Sequence, residues 1–386
     1  MILHIAPDDK FTPFLQDVFE DAASGQNLWR IVRVKGNRSF AVIGDNSEIV
    51  ANSYFSSLRL ISDLRRVDCV ILHSLFLSRR QKYLLFTVLP KGAPVIWRGW
   101  GFDYYRYIEN VGLQITLPET NALQLNTELR GFVADCDLLL SKAKKIASGL
   151  LDNWLNKKVF ARVNYFSCCV PDDFETLKRV VPEFRAEFLP LNYYSKEDTF
   201  LQGEGILDMS GPDILLGNSA TKTNNHAEAI RILSRLDMEG RRVVVPLSYG
   251  DLNYQEAVIR LGKRLLGQSF VPLVDYLSLT EYGEIVAGCG LIVMNHVRQQ
   301  AVGNISAALL RGGKVFLRPE NPIYNYYTSL GVKLFKFSDD LTLGDLNSPL
   351  SSSDVLLNKE TMSKIWARKQ VLAQVQSISM LRREDL

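Results

Sequence analysis

The sequence predicts an α/β protein of two domains, and three observations carry that reading. The chain has 386 residues, too many for one ordinary core. Short apolar runs of β type alternate with helical stretches in both halves. Those apolar runs end, again and again, in polar or glycine-bearing turns, which is where α/β folds present their ligand-binding edge. Two α/β domains joined by a linker, with a deep cleft between them, is the architecture expected.

In the first half the strand-like runs are ILHIA, RIVRV, SFAVIG, DCVILHSLF and APVIWRGWG, with helical segments such as FTPFLQDVFEDAA and SSLRLISDLRR between them. The stretch 193–213, YYSKEDTFLQGEGILDMSGPD, is polar and glycine-bearing and has no sustained period, so it is expected to be the linker. A second alternation follows. DILLGNSATKTNNHAEAIRILSRL reads as strand, loop and helix, RRVVVPLSYGDLNYQEAVIRLGKRL repeats that order, and GLIVMNHVRQQAVGNISAALLRGG repeats it again. KVFLRPENPIYNYYTSLG closes the series. The domains are placed at 1–195 and 196–360, with 361–386 a helix that can pack back on the first.

Composition is that of a globular protein: 47% hydrophobic, 23% charged, 10% aromatic. A net charge of +3 is too small to imply nucleic-acid binding. Five cysteines without a CxxC pair, and only four histidines, argue against a zinc site and fit reduced thiols in the cytoplasm. The amino terminus lacks the basic and apolar pattern of a signal peptide, and no apolar run is long enough to cross a bilayer. The segment from Lys142 to Arg162 carries Lys142, Lys144, Lys145, Lys157, Lys158 and Arg162 beside Trp154. Such a basic, aromatic-bearing helix can lie on an anionic membrane, although a solvated helix face explains the same residues.

Candidate chemistry sits at the strand ends. After ILL, the turn offers Asn218, Ser219, Thr221 and Thr223, and Asn224 or Asn225 can cap the next helix; taken alone, these residues fit an ordinary capped turn better than an anion site. It is neither a P-loop nor GxGxxG. After LIVM come Arg298, Gln299 and Gln300, then Gly303 and Asn304 at a helix start. A guanidinium and an exposed helix N-terminus together can hold a diphosphate. Glu320 ends the following strand, where it can accept from sugar or ribose hydroxyls. In the first half, VIWRGWGFDYYRY places Trp97, Trp100 and Gly101 beside Asp103, and aromatic faces next to a carboxylate suit a sugar. Asp9, Asp103 and His73 are the candidate bases for an acceptor hydroxyl, with helix capping by the acids and a core role for the histidine as the alternatives.

The motifs GNSATKTNNH, VVVPLSYGDLNYQEAV, RQQAVGNISAALLRGGKVFLRPENP and WRGWGFDYYR resemble glycosyltransferase family 56, the bacterial TDP-4-acetamido-4,6-dideoxygalactose (Fuc4NAc) transferases. The resemblance implies a GT-B fold of two Rossmann-like domains, with the nucleotide sugar on the C-terminal domain and the acceptor on the N-terminal one. It implies a dTDP-sugar donor and a polyprenyl-linked glycan acceptor of the kind used in enterobacterial common antigen. It also implies a peripheral place on the inner face of the cytoplasmic membrane. By position, Asn218, Ser219, Arg298, Gln299, Gln300, Gly303 and Glu320 fall in donor motifs, and Tyr249 is placed to contact the donor. His4, Asp9, His73, Trp100, Gly101 and Asp103 fall in first-domain motifs. No DxD pair of the metal-binding type stands at a strand end, so transfer without a metal or other cofactor is expected. A sugar-nucleotide epimerase and a non-catalytic sugar-nucleotide-binding scaffold are the alternative functions.

Overall fold

The computed structural model describes residues 1–386 except 10, 34–39, 76, 110–111, 129–150, 153, 193–194, 196–207, 239 and 382–386. The described residues form two compact units. One gathers those of 1–111, 135–198 and 366–386; the other gathers those of 112–134 and 199–365. The boundaries therefore differ from those expected from the sequence in two places. Residues from 112 onward leave the first unit, and a helix Pro118–Glu128 packs in the second. There Glu228 accepts from the N–H groups of Glu119 (2.8 Å) and Thr120 (3.0 Å), so a remote carboxylate caps this helix. At the other end the return to the first unit begins at Trp366, five residues after the expected 361.

The first unit is a seven-stranded parallel sheet in the order β3-β2-β1-β4-β5-β6-β7. Its strands are β1 (Ile2–Pro7), β2 (Asn27–Val32), β3 (Ser47–Val50), β4 (Cys69–Leu72), β5 (Val95–Arg98), β6 (Tyr165–Ser167) and β7 (Glu187–Phe188). β4 and β5 are buried at every position, as strands covered on both faces must be, and this explains their unbroken apolar runs. The helix Arg368–Ser379 buries Val371, Val375 and Ile378 along one stripe, and Arg368 pairs with Asp17 (3.0 Å) and Asp21 (2.5 Å) on the helix Thr12–Ala22.

The expected strand SFAVIG is not one among its described residues. The edge strand is Ser47–Val50 instead. Side chains take up the backbone groups of that run. Asp8 accepts from the N–H groups of Phe40 and Ala41, and Gln16 both accepts from and donates to Val42, which is 61% exposed. A backbone bonded by side chains has nothing left for a ladder.

The second unit is a six-stranded parallel sheet, order β10-β9-β8-β11-β12-β13. Its strands are β8 (Ile214–Leu216), β9 (Val243–Pro246), β10 (Phe270–Leu273), β11 (Leu291–Met294), β12 (Lys314–Leu317) and β13 (Phe335–Lys336). β8, β9, β11 and β12 are buried throughout and form a core with helices His226–Leu233 and Leu252–Leu266. Most of the expected linker lies outside the described residues. Its tail belongs to this unit, where Met209 donates to the carbonyl of Arg311 and Pro212 bridges Cys289. In both sheets the chain starts at a central strand, winds to one edge and then to the other. The order reverses at β1/β4 in the first unit and at β8/β11 in the second. Those two points are where open α/β sheets bind ligands.

Candidate active site

In the second unit, β8 and β11 lie side by side, and each feeds a loop and then a helix. The described residues contain two non-glycine residues in the left-handed region: Asn225 (φ 50°) and Ala301 (φ 57°). They stand at the starts of the two helices that follow these two strands. An alanine held there costs on the order of 1 kcal/mol, and such strain concentrates at binding sites. Its local effect is to swing the chain from the Arg298–Gln300 turn into the helix Val302–Leu310. The N–H groups of Val302, Gly303 and Asn304 head that helix with no intrahelical acceptor. The Asn304 side chain turns away and donates to the Tyr282 hydroxyl (3.2 Å).

A web of buried amides locks the two loops together. Asn224 is fully buried. It accepts from the Asn218 N–H (2.9 Å) and from His296 Nε2 (2.8 Å), and it donates to the carbonyls of Ser219 (3.0 Å) and Thr221 (3.1 Å). Asn225 donates to the Asn295 carbonyl (3.2 Å), and Asn295 donates back to the Asn225 carbonyl (2.8 Å). Neither Asn224 nor Asn225 caps its helix by a side-chain bond, contrary to the sequence reading. Asn321 caps the helix Pro322–Ser329 and also donates to the carbonyls of His296 (3.0 Å) and Arg298 (3.2 Å). Burial holds the imidazoles of His226, down to about 3, and His296 neutral at ordinary pH. These residues were missed because partners such as Asn225 and Asn295 lie seventy positions apart. The runs NNH and NH directly after apolar strands were the available signal.

Above this web sit the expected donor residues, and the structure brings most of them together. Gln300 donates to Asn218 Oδ1 (2.9 Å) and accepts from Thr223 Oγ1 (2.6 Å). The guanidinium of Arg298 reaches the Gln299 carbonyl (2.9 Å) and Thr223 Oγ1 (3.4 Å) and is half-buried. Tyr249 accepts from Asn218 Nδ2 (3.2 Å) and is exposed, whereas Ser219 is buried beneath it. The β9 loop is held against the β8 loop at Gly250 (φ 128°), where a Cβ would stand 2.3 Å from the Ala220 carbonyl oxygen. Gly303 lies in the first turn of its helix. Glu320 departs from expectation: it is exposed and paired with Arg318 (3.1 Å), so hydroxyl binding there competes with an ion pair.

The first unit's reversal point is built differently. Asp9 accepts from the N–H groups of Phe11 (2.8 Å) and Thr12 (3.1 Å) at the start of the helix Thr12–Ala22. Asp103 is 2% exposed and accepts from the Leu75 N–H (2.9 Å), the Trp97 indole (3.0 Å) and the Trp100 N–H (2.9 Å). Burial raises both carboxyls, Asp103 to about 6. Asp103 thus spends both oxygens on holding loops, whereas Asp9 caps its helix through Oδ1 alone. Trp97 is fully buried among Phe160, Phe166 and Phe184, and Gly101 is buried in the first turn of its helix, so neither offers a face to a sugar. Trp100 is half-buried; it stacks on Phe11 (4.9 Å), lies under the Arg98 guanidinium (4.0 Å) and donates to the His73 carbonyl (2.6 Å). His73 ends β4. One ring nitrogen meets His4 (2.9 Å), and the other, Nδ1, is buried with no partner.

The family model described as 4-alpha-L-fucosyltransferase, glycosyl transferase group 56, matches residues 176–348. Over those residues the chain is similar to the family 56 glycosyltransferases. The match spans the β8, β9, β11 and β12 loops, so the cluster around Arg298 lies within the matched part. The whole chain resembles solved two-domain structures. A trehalose-6-phosphate structure from E. coli bound with UDP-2-fluoro glucose aligns with a TM-score of 0.62, 11% identity and 100% of both chains. AviGT4, a glycosyltransferase involved in avilamycin A biosynthesis, aligns at 0.53, with 10% identity, 99% of this chain and 97% of that one. Anabaena HepE in complex with UDP and glucose aligns at 0.52, with 7% identity, 99% and 95%. The fold of this glycosyltransferase is GT-B, with two Rossmann-like domains.

Proposed function

We propose that the enzyme moves a deoxyamino sugar of the Fuc4NAc kind from a dTDP donor to a polyprenyl-diphosphate-linked saccharide. The observation that carries the donor half is the coincidence, at the β8/β11 reversal, of Arg298, an open helix start and two left-handed residues. That combination suits a pyrophosphate, which asks for convergent N–H donors and a fixed cation.

In this reading the acceptor hydroxyl attacks the anomeric carbon, the bond to the diphosphate oxygen breaks, and dTDP departs with the electron pair. Arg298 and the N–H groups of residues 302–304 take up the developing charge. Because these groups are preorganised, no divalent ion is needed, and transfer in EDTA proceeds at the untreated rate. In an inverting reaction His73 Nδ1 receives the hydroxyl proton; Asp103 spends both oxygens on backbone and indole donors, whereas Asp9 is bonded through Oδ1 alone and is the competing base.

Access to a lipid-linked acceptor asks for a peripheral membrane contact. Among the described residues no helix is long and apolar enough to cross a membrane. Leu151, Trp154 and Tyr83 are exposed on the first unit, with Tyr83 and Trp154 6.5 Å apart. Lys142, Lys144 and Lys145 lie outside the described residues. Arg162 is not a surface cation: it donates to the carbonyls of Pro90 and Ala93 and clamps the turn before β5.

The test is incubation with dTDP-Fuc4NAc and a polyprenyl-linked saccharide, following glycolipid and free dTDP. Equimolar glycolipid and dTDP is the expected result. Isomerised donor without glycolipid contradicts it in favour of an epimerase, and tight dTDP binding with neither product makes the protein a scaffold.

A further inference from the structure

We propose that Asn27 and His4 are positioning residues that hold His73 in the one tautomer able to take a proton at Nδ1. The inference rests on the reading of His73 as the acceptor-side base and deepens it.

The chain of reasoning starts at Asn27, which is 1% exposed. Its Nδ2 donates to the carbonyls of Phe19 (3.0 Å) and Ala23 (2.9 Å). Carbonyls only accept, so the amide cannot be turned round, and its Oδ1 is the atom 3.2 Å from His4 Nε2. His4 Nε2 must therefore carry a hydrogen. His4 is fully buried, with no carboxylate bonded to its ring, and is neutral. Its Nδ1 is then a bare lone pair, 2.9 Å from His73 Nε2. His73 Nε2 must in turn be the donor, and in a neutral ring this leaves Nδ1 bare. That atom is the one without a partner, in a side chain 1% exposed.

The rings are fixed as well as the protons. His4 stacks on Trp29 at 3.9 Å and 13°, His73 stacks on both at 5.2 Å, and Phe19 closes the set edge-on. The Trp100 indole pins the His73 carbonyl. Two neighbouring strands, β1 and β4, thus present one oriented lone pair at the point where the sheet order reverses. When the acceptor O–H bond breaks, the proton forms an N–H bond at His73 Nδ1. The imidazolium so formed keeps its Nε2–H on the His4 lone pair, against burial and the nearby His4 and Arg98, which hold the His73 ring well below its ordinary 6.5.

Four histidines in the chain make the test readable by nitrogen NMR of the full-length protein with labelled histidine. The expected wild-type spectrum has His73 protonated at Nε2 and bare at Nδ1. His4→Phe keeps the stacked ring and removes the acceptor; His4→Asn supplies an oxygen near the lost Nδ1. The first should show mixed His73 tautomers and a kcat lower by roughly tenfold to hundredfold, part of what a general base contributes, with donor KM unchanged. The second should restore both tautomer and kcat to within a few-fold. A wild-type His73 carrying its proton on Nδ1 overturns the proposal, whatever the enzyme transfers. Equal kcat losses in the two variants with the His73 tautomer unmoved overturn it as well. The expected tautomers in a protein inactive with dTDP donors would support the relay and count against the donor assignment alone.

Discussion

The two units share a plan and differ in what they place at its functional point. Each sheet is parallel and reverses order beside its first strand, and each gathers buried polar groups on or just beyond the strands around that point. In the second unit those groups are mainly amides, Asn224, Asn225 and Asn295, joined by Asn321 and topped by Arg298 and an open helix start, beside the neutral imidazoles of His226 and His296, each with a ring nitrogen left over. In the first they are stacked rings, His4, His73 and Trp29, with one lone pair left over. An amide web rigidifies backbone donors, which is what a pyrophosphate requires. A ring stack fixes one proton acceptor, which is what an incoming hydroxyl requires. In the proposed reaction the same scaffold would separate charge stabilisation from proton removal.

Substitutions should break the two points in different ways. His73→Ala should produce the largest effect, a kcat loss of about 10²–10⁴-fold with dTDP affinity unchanged by calorimetry. A comparable loss of dTDP binding would erase the distinction. Arg298→Ala should lower kcat about 10²–10³-fold and also weaken dTDP, since it removes one charge-stabilising donor. Unchanged turnover would remove Arg298 from the reaction. Gly250→Ala forces a Cβ against the Ala220 carbonyl at a left-handed position and should cost about 1–3 kcal/mol in thermal unfolding. It should weaken dTDP while the His73 tautomer stays as it is.

Acidification should give the smallest effect and sharpen the contrast. Both units bury neutral histidines whose folded pKa values lie below the ordinary 6.5, with His4 and His226 at about 3. The unfolded chain then binds more protons below 6.5, so stability falls as pH drops through that value. In the first unit Asp103 opposes this. Its folded pKa of about 6 exceeds the ordinary 3.8, so the folded state gains a proton first as pH falls below 6. Between pH 7.5 and 5, protection factors, which correct for the intrinsic slowing of amide exchange in acid, should therefore fall more in β8 and β11 than in β1 and β4. An equal fall would contradict this balance.

The alternation of strand and helix was legible because central parallel strands are buried on both faces and leave unbroken apolar runs in the sequence. The edge was harder. SFAVIG has β composition, yet Asp8 and Gln16 take its backbone groups, and side-chain bonds from residues about thirty positions away leave no local pattern. At the site, Arg298 and Gly303 stood out because polarity changes abruptly after LIVM. Trp97 and Asp103 were misread for one reason: an aromatic beside an acid looks the same whether the pair faces a ligand or bonds to itself in a core. The amide web and the histidine pair depend on strands adjacent in space and distant in sequence, so only the fold reveals them.

The most direct test of the central claim is hydrogen exchange on the full-length protein with and without saturating dTDP. The β8/β11 reversal predicts slowed exchange in residues 217–225, 249–251 and 298–304, and no change at His73 and its neighbours. Slowing confined to the first unit, or none at the Arg298 turn, would contradict it.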